Sequence, residues 1–505
     1  MALYAGIDCG TQGTKVVIVD SRTGTIVGEG SAPHEMISDS SGRREQRVEW
    51  WVEALLKAFR QAVDSPDVDP AKIAALSVSG QQHGFVALDE HGDVLHAVKL
   101  WCDTSTMREN QALLSGLGGI KGSLQQLGLM VAAGYTASKI LWFKQQHPSL
   151  WARLKTVLLP HDYLNFWLTG ERVAEFGDAS GSGLFDIRQR CWDRRTVELI
   201  DGSGLLWNAL PRLIPAQETV GYLRPEVAAM LGLQPTTRVA SGGGDNMMAA
   251  IGTGNIRPGI ITMSLGTSGT LFAYAEQPVV SHSEAIAGFC SSSNGWLPLI
   301  CTMNVTSAST SVQRLLEKDI AAFNQALAET EPGAEGVMML PFFNGERVPP
   351  LPAAKASLHN LDSDNFTPDN LCRAVVESAT YGLRYGVDLF QQQGIAIDEI
   401  RLTGGGARSS CWRQIVADVM NCPVVCLAEK ETAALGAAIQ AMWCDNLATQ
   451  PELSAKEELS SLCQRFVRLD ENTRAVPNTL HQRQYADLYA GYLNLLQKEY
   501  PEVRL

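Results

Sequence analysis

A single carboxylate follows three consecutive glycines near the middle of the chain, at residues 242–245. The apolar Val239 and Ala240 before the glycines predict the end of a buried strand, and the alanine-rich segment after Asp245 predicts a helix. Glycine carries no Cβ, so a ligand could approach this backbone closely and meet the carboxylate. The alternative is a tight turn in which Asp245 only caps the following helix.

Two turns rich in glycine and hydroxyl side chains lie on either side of this motif in the sequence. Each joins two apolar strands, the first at residues 8–14 and the second at residues 266–270. Exposed backbone N–H groups and hydroxyls together suit a polyphosphate. The first turn is not a P-loop, because Gly10 and Lys15 are too close together and no helix follows directly. The repetition predicts two similar α/β domains that face each other across a cleft.

Polar side chains also follow the buried strand predicted over residues 73–79. Gln82 and His83 lie between glycines there, which suits hydrogen bonds to the hydroxyls of a polyol, although a lone histidine is more often structural. In mixed α/β sheets, ligands bind at the carboxyl ends of strands. The glycines at 404–406 occupy the matching place in the second half, where a base or ribose could lie on the backbone. Asp103 is a further candidate, with a helix cap as its alternative role.

Length and composition predict a well-folded protein of more than one domain. The chain has 505 residues, of which 45% are hydrophobic and 19% charged. The net charge of −13 disfavours nucleic acid and an anionic membrane as partners. We find no secretory leader and no apolar run long enough to span a bilayer. The 11 cysteines complete no metal site, so we expect buried thiols and a cytoplasmic location.

Seven ordered motifs together span essentially the whole chain. They are IDCGTQGTK, SGQQHG, LWCD, SGGGDNMMAAIGTG, SLGTSGT, GER-P and LTGGGARSSCWRQIVADV. This combination resembles the FGGY carbohydrate kinases. The resemblance implies a mixed α/β fold of two actin-like, ribonuclease-H-like domains with an ATP and sugar cleft between them. We expect the sugar-side domain at 1–234, the nucleotide-side domain at 235–475 and a closing helix at 476–505.

The resemblance also implies an activity, the ATP-dependent phosphorylation of a ketopentose, with D-xylulose favoured by the GQ-x-HG pattern at residues 80–84. Asp245 would be the general base, and Asp8 would be the acid that handles Mg²⁺ and phosphate. The substrate-binding residues implied are Gln82, His83, Asp103 and Asn246. The ATP-binding residues implied are Thr11, Lys15, Gly266, Thr267, Gly405, Gly406 and Ser410.

Three alternatives stay open at this point. A sister kinase could act on ribulose, another ketose or a polyol such as glycerol. An actin-superfamily ATPase would share the phosphate turns, but it would have no use for Gln82 or Asp245. A sugar-sensing regulator would retain the sugar motif, although no DNA-binding helix-turn-helix is evident. A small sugar and ATP are the expected partners, and the sequence is compatible with a homodimer.

Two departures from the family pattern concern the loop expected to take part in domain closure. Asn360 stands where relatives often carry glycine, and residues 348–352 are rich in proline. Neither departure touches the proposed chemistry.

Overall fold

Two sheets of seven strands each form the centre of the structure, a computed structural model that describes residues 2–280 and 284–503. The strands, in chain order, are β1 Leu3–Cys9, β2 Gly13–Asp20, β3 Ile26–Pro33, β4 Ile37–Ser38, β5 Arg44–Gln46, β6 Ile73–Gly80, β7 Val86–Leu88, β8 Val98–Lys99, β9 Thr156–Leu158, β10 Val173–Glu175, β11 Phe185–Asp186, β12 Cys191–Trp192, β13 Arg212–Ile214, β14 Thr219–Tyr222, β15 Arg238–Ala240, β16 Gly243–Gly244, β17 Gly259–Leu265, β18 Gly269–Ala273, β19 Ala287–Cys290, β20 Trp296–Thr302, β21 Met338–Leu340, β22 Ser357–His359, β23 Ile397–Thr403, β24 Val424–Leu427 and β25 Leu469–Ala475.

Helices pack on both sheets and between them. They are α1 Val48–Val63, α2 Met107–Leu117, α3 Gly119–Leu127, α4 Thr136–Gln146, α5 Pro148–Trp151, α6 Pro160–Thr169, α7 Phe176–Ala179, α8 Arg194–Ile200, α9 Leu205–Ala209, α10 Pro225–Leu231, α11 Asp245–Gly252, α12 Thr306–Leu315, α13 Ile320–Glu329, α14 Pro368–Gln392, α15 Ser410–Met420, α16 Thr432–Thr449, α17 Ala455–Phe466 and α18 Gln482–Glu499. Within the described ranges, none of them combines the length and the apolar character that a bilayer crossing needs.

The two sheets share one strand order. The first contains the path β15-β6-β1-β2-β3, and the second contains β24-β23-β17-β18-β20. In each path the first two pairings are parallel and the last two are antiparallel. The predicted duplication of an α/β unit is therefore confirmed. The glycine-rich turns lie at matching places, between β1 and β2 and between β17 and β18.

Apolar periodicity explains the core of the first unit. β1 is buried along nearly all of its length, as expected for a strand covered on both faces. Apolar residues recur at helical spacing over residues 49–62 and predict a helix. This helix is α1, which buries Trp51, Leu55 and Phe59 against the sheet. Each large side chain fully buried in this way contributes roughly 1.5–3 kcal/mol.

Two helices, α11 and α16, lie between the units and join them. α16 belongs to the second half of the sequence, yet it packs on β1 and β6 of the first sheet. Glycines allow this close approach: a Cβ on Gly252 would overlap the carbonyl of Thr432, and one on Gly436 would overlap the carbonyl of Met248. The small side chains over residues 432–438 predict a helix suited to close packing, and α16 is that helix.

The first sheet extends past the domain boundary predicted at residue 234. β15 and β16 both pair in parallel with β6, so the strand before Asp245 belongs to the first unit. We therefore propose that the junction follows α11. The C-terminal α18 buries Tyr485, Tyr492 and Leu496 in the core of the second unit.

Candidate active site

The ends of three neighbouring strands bring the two predicted carboxylates to one edge of the first sheet. Ser79 of β6 pairs with Asp8 of β1 on one side and with Gly243 of β16 on the other. Because neighbouring strands lie about 4.8 Å apart, the backbones at Asp8 and Gly243 are roughly 10 Å apart. Asp245 starts α11 directly after β16. Residues distant in sequence therefore face one another.

Asp245 is not the cap of the helix that it begins. The N-cap position belongs to Gly244, which makes no side-chain cap bond. The Asp245 Oδ1 atom instead accepts the backbone N–H of Asn246 at 2.7 Å and its Nδ2 at 3.0 Å. Asp245 Oδ2 has no hydrogen-bond partner among residues 2–280 and 284–503 and is free to meet a ligand.

The two carboxylates hold protons more tightly than ordinary aspartates. Burial raises the pKa of Asp245 to about 7, and the negative charge of Asp8 adds to this effect. Burial also raises the pKa of Asp8 to about 6, against the hydrogen bond from Ser79 Oγ at 2.8 Å and the charge of Lys15. A base whose pKa lies near neutrality suits proton abstraction from a hydroxyl.

Gln82 and Asn246 connect the sugar motif to Asp245. Asn246 Nδ2 donates to Gln82 Oε1 at 3.0 Å. The contact is close, because a Cβ on Gly244 would lie 2.8 Å from Gln82 Cγ. The structure thus brings these two predicted substrate residues beside the predicted base, and it explains why the residue before Asp245 is a glycine.

His83 forms an aromatic wall with residues from both units. Its ring centroid lies 4.4 Å from that of Tyr135 and 5.8 Å from that of Phe289, which belongs to β19 in the second sheet. Burial lowers the pKa of His83 to about 3, so the imidazole is neutral. Its backbone has a left-handed φ of 63°, and Lys139 Nζ donates to its carbonyl at 2.6 Å. A Cβ on Gly181 would lie 2.5 Å from His83 Cε1.

A buried polar layer on α6 supports the sugar motif and the segment before Asp245. His161 Nδ1 lies 2.6 Å from Asp178 Oδ2, and Asn165 Nδ2 donates to the carbonyl of Ser241 at 2.8 Å. A Cβ on Gly80 would lie 2.8 Å from the Cβ of His161. The start of α6 therefore fixes the strand end before the sugar motif and the one before Asp245.

Asp103, predicted to bind the substrate, is bonded to residues of its own surroundings. It is fully buried, its Oδ2 accepts the backbone N–H of Arg44 at 2.7 Å, and Lys99 Nζ lies 3.3 Å away. This carboxylate therefore holds its loop in place. The neighbouring Trp101 is 43% exposed, and its indole donates to Thr11 Oγ1 at 2.9 Å. The aromatic side chain of the LWCD motif therefore contacts the first turn, while its acid is buried.

The first turn contacts the second half of the chain through Lys15. Lys15 projects from β2 and forms an ion pair with Glu431 at 2.5 Å, directly before α16. Its side chain is about half exposed, so it can exchange this partner for a phosphate. Thr11 lies in the turn itself, where its hydroxyl is bound within the protein.

The second turn is held by the N-terminus of α12. The carbonyl of Gly266 accepts the backbone N–H of Thr306 at 2.9 Å, and that of Thr267 accepts the N–H of Ser307 at 3.2 Å. The side chain of Thr267 stays exposed. These bonds occupy the first N–H groups of the helix and fix the tip of the turn.

The glycines at 404–406 pack directly against this second turn. Gly404 has a φ of 86°, and a Cβ there would lie 2.9 Å from Gly266 N. A Cβ on Gly405 would meet nothing within 4 Å, so this backbone borders open space. Ser410 is exposed at the start of α15, while Ser409 caps that helix. The glycine triplet and Gly266 of the second turn, both predicted to bind the nucleotide, therefore lie side by side.

Sequence reasoning missed several residues around Asp245. Cys301 is half-buried, and burial raises the pKa of its thiol, against the guanidinium of Arg347 and with a contribution from Asp245. Tyr135 and Phe289 flank His83. Arg347 lies in the GER-P motif, and this motif was the one sequence signal that could have identified any of these residues. The others stand in segments without a local motif, and only the fold brings them to the site.

The arrangement suits phosphoryl transfer to an alcohol. It combines an acceptor carboxylate, a neutral imidazole, amide groups and two turns of phosphate-binding type. Across the described part of the chain, no three His, Cys, Asp or Glu side chains are grouped to hold a metal ion. The Asp8 and Asp245 carboxylates could still attract a hard cation whose remaining ligands are waters or phosphate oxygens.

Comparison with known proteins agrees with this geometry. The models for the N-terminal and C-terminal domains of the FGGY family of carbohydrate kinases match residues 3–252 and 261–444. The chain is 51% identical over 502 residues to a xylulose kinase of Haemophilus influenzae, covering 99% of this chain and 100% of the relative. It is 38% identical to a xylulose kinase of Streptomyces rubiginosus, over 87% of both chains. The crystal structure of xylulose kinase from Bifidobacterium adolescentis superposes with a TM-score of 0.82 at 28% identity, over 96% of this chain and 99% of that one.

Proposed function

The chain belongs to the FGGY family of carbohydrate kinases, and we propose that it transfers the γ-phosphoryl group of ATP to D-xylulose to form D-xylulose 5-phosphate. One observation carries the choice of sugar: the 51% identity to a xylulose kinase extends over 99% of the chain. The two-domain, actin-like α/β fold and the ATP-dependent sugar kinase activity follow from the family.

Asp245 is proposed as the general base. Its Oδ2 atom accepts the proton of the attacking sugar hydroxyl while Oδ1 stays anchored by Asn246 at 2.7 Å. This anchoring keeps the free oxygen in a defined place. Because the pKa of Asp245 is raised, its deprotonated carboxylate binds the abstracted proton more strongly than an ordinary aspartate does. A base of this type contributes roughly 10²–10⁴-fold to the rate.

Gln82, His83 and Asn246 are proposed to bind the hydroxyl groups of the sugar. The support for this role is that Asn246 bonds both Gln82 and Asp245, and that His83 directly follows Gln82. A neutral His83 can donate or accept a hydrogen bond, which suits a hydroxyl group. The buried carboxylate of Asp103 is assigned to the support of the loop.

The nucleotide is proposed to bind across the second turn and the glycines at 404–406. Gly266 and Thr267 would contact phosphates, and Gly405, Gly406 and Ser410 would line the adenosine pocket. Lys15 would approach the triphosphate from the first turn. The packing of Gly404 against Gly266 supports a continuous surface for these groups. We assign the phosphate contact at Thr11 to its backbone, because its hydroxyl proton is donated to Gln81.

Asp8 is proposed to hold Mg²⁺, with waters and phosphate oxygens as further ligands. The residues fit this ion because the carboxylate oxygens of Asp8 are suitable ligands. The combined negative charge of Asp8 and Asp245 also favours a cation. When bound, the ion neutralises charge on the β- and γ-phosphate oxygens. A homodimer stays a prediction, which light scattering can check.

Coupled measurement of ADP release tests this function. We expect D-xylulose to give a higher kcat/KM than D-ribulose, L-ribulose or glycerol. Asp245→Ala should reduce kcat at least about a hundredfold. The control is Asp67→Ala, which removes an exposed aspartate outside the site. A better rate with another sugar would favour a sister kinase, and retention of more than about a tenth of the rate would exclude the base assignment.

A further inference from the structure

A continuous chain of hydrogen bonds connects the first phosphate turn with the start of the sugar motif. Trp51 Nε1 and Gln81 Nε2 both donate to Gln46 Oε1, each at 2.9 Å. Thr11 Oγ1 donates to Gln81 Oε1 at 3.0 Å. Trp101 Nε1 donates to Thr11 Oγ1 at 2.9 Å. The hydrogen-bond chain therefore extends from the buried Trp51 of α1 to the exposed indole of Trp101.

The two indoles at its ends determine the direction of every bond. An indole N–H can only donate, so the atom of Gln46 that faces Trp51 must be its oxygen. That oxygen can only accept, so Gln81 must present its amide nitrogen to Gln46 and its oxygen to Thr11. The Thr11 hydroxyl must then donate to Gln81 and accept from Trp101. A single arrangement of donors and acceptors satisfies the whole chain.

Burial makes this arrangement costly to break. Gln46 and Gln81 are both fully buried. Gln46 Nε2 also donates to the carbonyls of Thr11 and Glu35, each at 2.8 Å, so the amide uses both of its N–H groups and accepts two bonds at its oxygen. A buried polar atom that loses its partner costs more than an exposed one. The turn is therefore fixed through its backbone and its side chain.

Sequence position shows what the chain connects. Gln81 directly precedes Gln82, which bonds Asn246 beside the proposed base. Thr11 belongs to the phosphate turn, and Trp101 to the LWCD motif. We propose that Gln46 and Gln81 are positioning residues that couple the sugar pocket to the phosphate turn through Thr11 and Trp101. The coupling of sugar and nucleotide rests on the proposed function.

A direct test follows the indole N–H signal of Trp101 by NMR in protein labelled with ¹⁵N-tryptophan. The protein has 11 tryptophans, and the signal that disappears in Trp101→Phe is that of Trp101. Gln81→Leu does not alter a direct partner of Trp101, yet it should move this signal because Thr11 loses its acceptor. Thr11→Val should move it further, and Thr11→Ser, which keeps the hydroxyl, should leave it near its native position. This readout does not depend on activity.

The matched control is Thr237→Val. Thr237 Oγ1 donates to the carbonyl of Ile73 at 3.1 Å, so this variant also removes one buried threonine hydrogen bond on β6. Ile73 is at the opposite end of that strand, roughly 20 Å from Gly80. We expect Thr237→Val to leave the Trp101 signal and both substrate affinities as in the native protein.

A binding experiment tests the coupling itself. Calorimetry gives the Kd of D-xylulose in the absence and in the presence of the β,γ-imido analogue of ATP. The ratio of the Kd without the analogue to the Kd with it measures the coupling. The native ratio should exceed one clearly. Gln81→Leu and Thr11→Val should each lower it roughly fivefold, the effect of one hydrogen bond of ordinary strength. The double variant should lose little more than either single one, because both break the same chain.

The outcomes separate this inference from the proposed function. A native protein that binds no D-xylulose would refute the proposed function, while the indole signal would still support or refute the hydrogen-bond chain. A Trp101 signal unchanged by Gln81→Leu would overturn the inference. A native ratio of one, or equal losses in Thr237→Val, would overturn it as well.

Discussion

Replacing Asp245 with asparagine should make the protein more stable at pH 8 while it removes the activity. The substitution keeps the shape of the side chain and the Oδ1 acceptor that binds the N–H of Asn246 at 2.7 Å. It removes a negative charge that is partly buried and close to Asp8, the two causes of the raised pKa of Asp245. The variant gains stability because it removes the negative charge of Asp245, which destabilises the folded state.

The pKa determines the sign and the size of this gain. It is raised from 3.8 to about 7, so the folded protein binds a proton that the unfolded chain releases over this range. Stability contributed by the protonated group is complete below about pH 4 and is lost as the pH rises through about 7. Roughly 3 pKa units correspond to at most about 4 kcal/mol. Because the carboxylate is partly exposed and solvent screens it, we expect about 2 kcal/mol.

Urea unfolding of the native protein and Asp245→Asn measures this difference. The experiment uses EDTA and no nucleotide, at pH 8 and at pH 4. At pH 8 the variant should be more stable by about 2 kcal/mol; at pH 4, where Asp245 keeps its proton in the folded protein and about half of it in the unfolded chain, the difference should fall to about 0.5 kcal/mol. Asp103→Asn is the opposite control. Its carboxylate is bonded to Arg44 and Lys99, so its loss should cost about 3 kcal/mol at pH 8.

Two results would refute the reasoning. Equal or lower stability of Asp245→Asn at pH 8 would mean that the charge of Asp245 is not a burden in the folded state. The same gain at both pH values would mean that the amide stabilises by packing or hydrogen bonding and not by charge.

Three further predictions concern pH and the support of the sugar motif. The kcat/KM for the sugar should rise with pH and level off above about 7, because protonated Asp245 cannot accept a proton; a flat rate profile from about pH 5.5 to 8 would contradict this. Lys139→Met removes the donor 2.6 Å from the carbonyl of His83 and should raise the sugar KM roughly tenfold with little change in the KM for ATP, as steady-state kinetics would show. Gly181→Ala places a Cβ 2.5 Å from His83 Cε1 and should also raise the sugar KM, whereas Gly382→Ala, whose Cβ would have open space, should keep the native value.

Local patterns in the sequence were sufficient to predict the elements that surround the site. The turn at residues 8–14 does join two apolar strands, β1 and β2, and the apolar face over residues 49–62 is α1. The repeated turn predicted a duplicated unit, which the matching strand orders confirm. Periodicity and turn chemistry depend on residues close together in the chain, and a sequence shows them directly.

The partners of individual side chains were not predictable in this way. Asp103 and Trp101 are two positions apart, and the sequence does not indicate which protein groups each of them binds. The structure resolves this through Lys99 and Arg44, which bind the acid, and through Thr11, which binds the indole. The pairing of β15 with β6 across the boundary expected at residue 234 is likewise a long-range contact that the sequence does not display.

The sequence by itself therefore determined the kinds of groups available: the carboxylates, the glycine-rich turns, the sugar motif and the order in which they occur. Tertiary structure alone decided which of these groups meet. It placed Asp8 and Asp245 on either side of β6, brought Phe289 to His83 and buried Asp103 beside Arg44 and Lys99. Strand register and helix packing set these distances, and both arise from contacts between residues far apart in the chain.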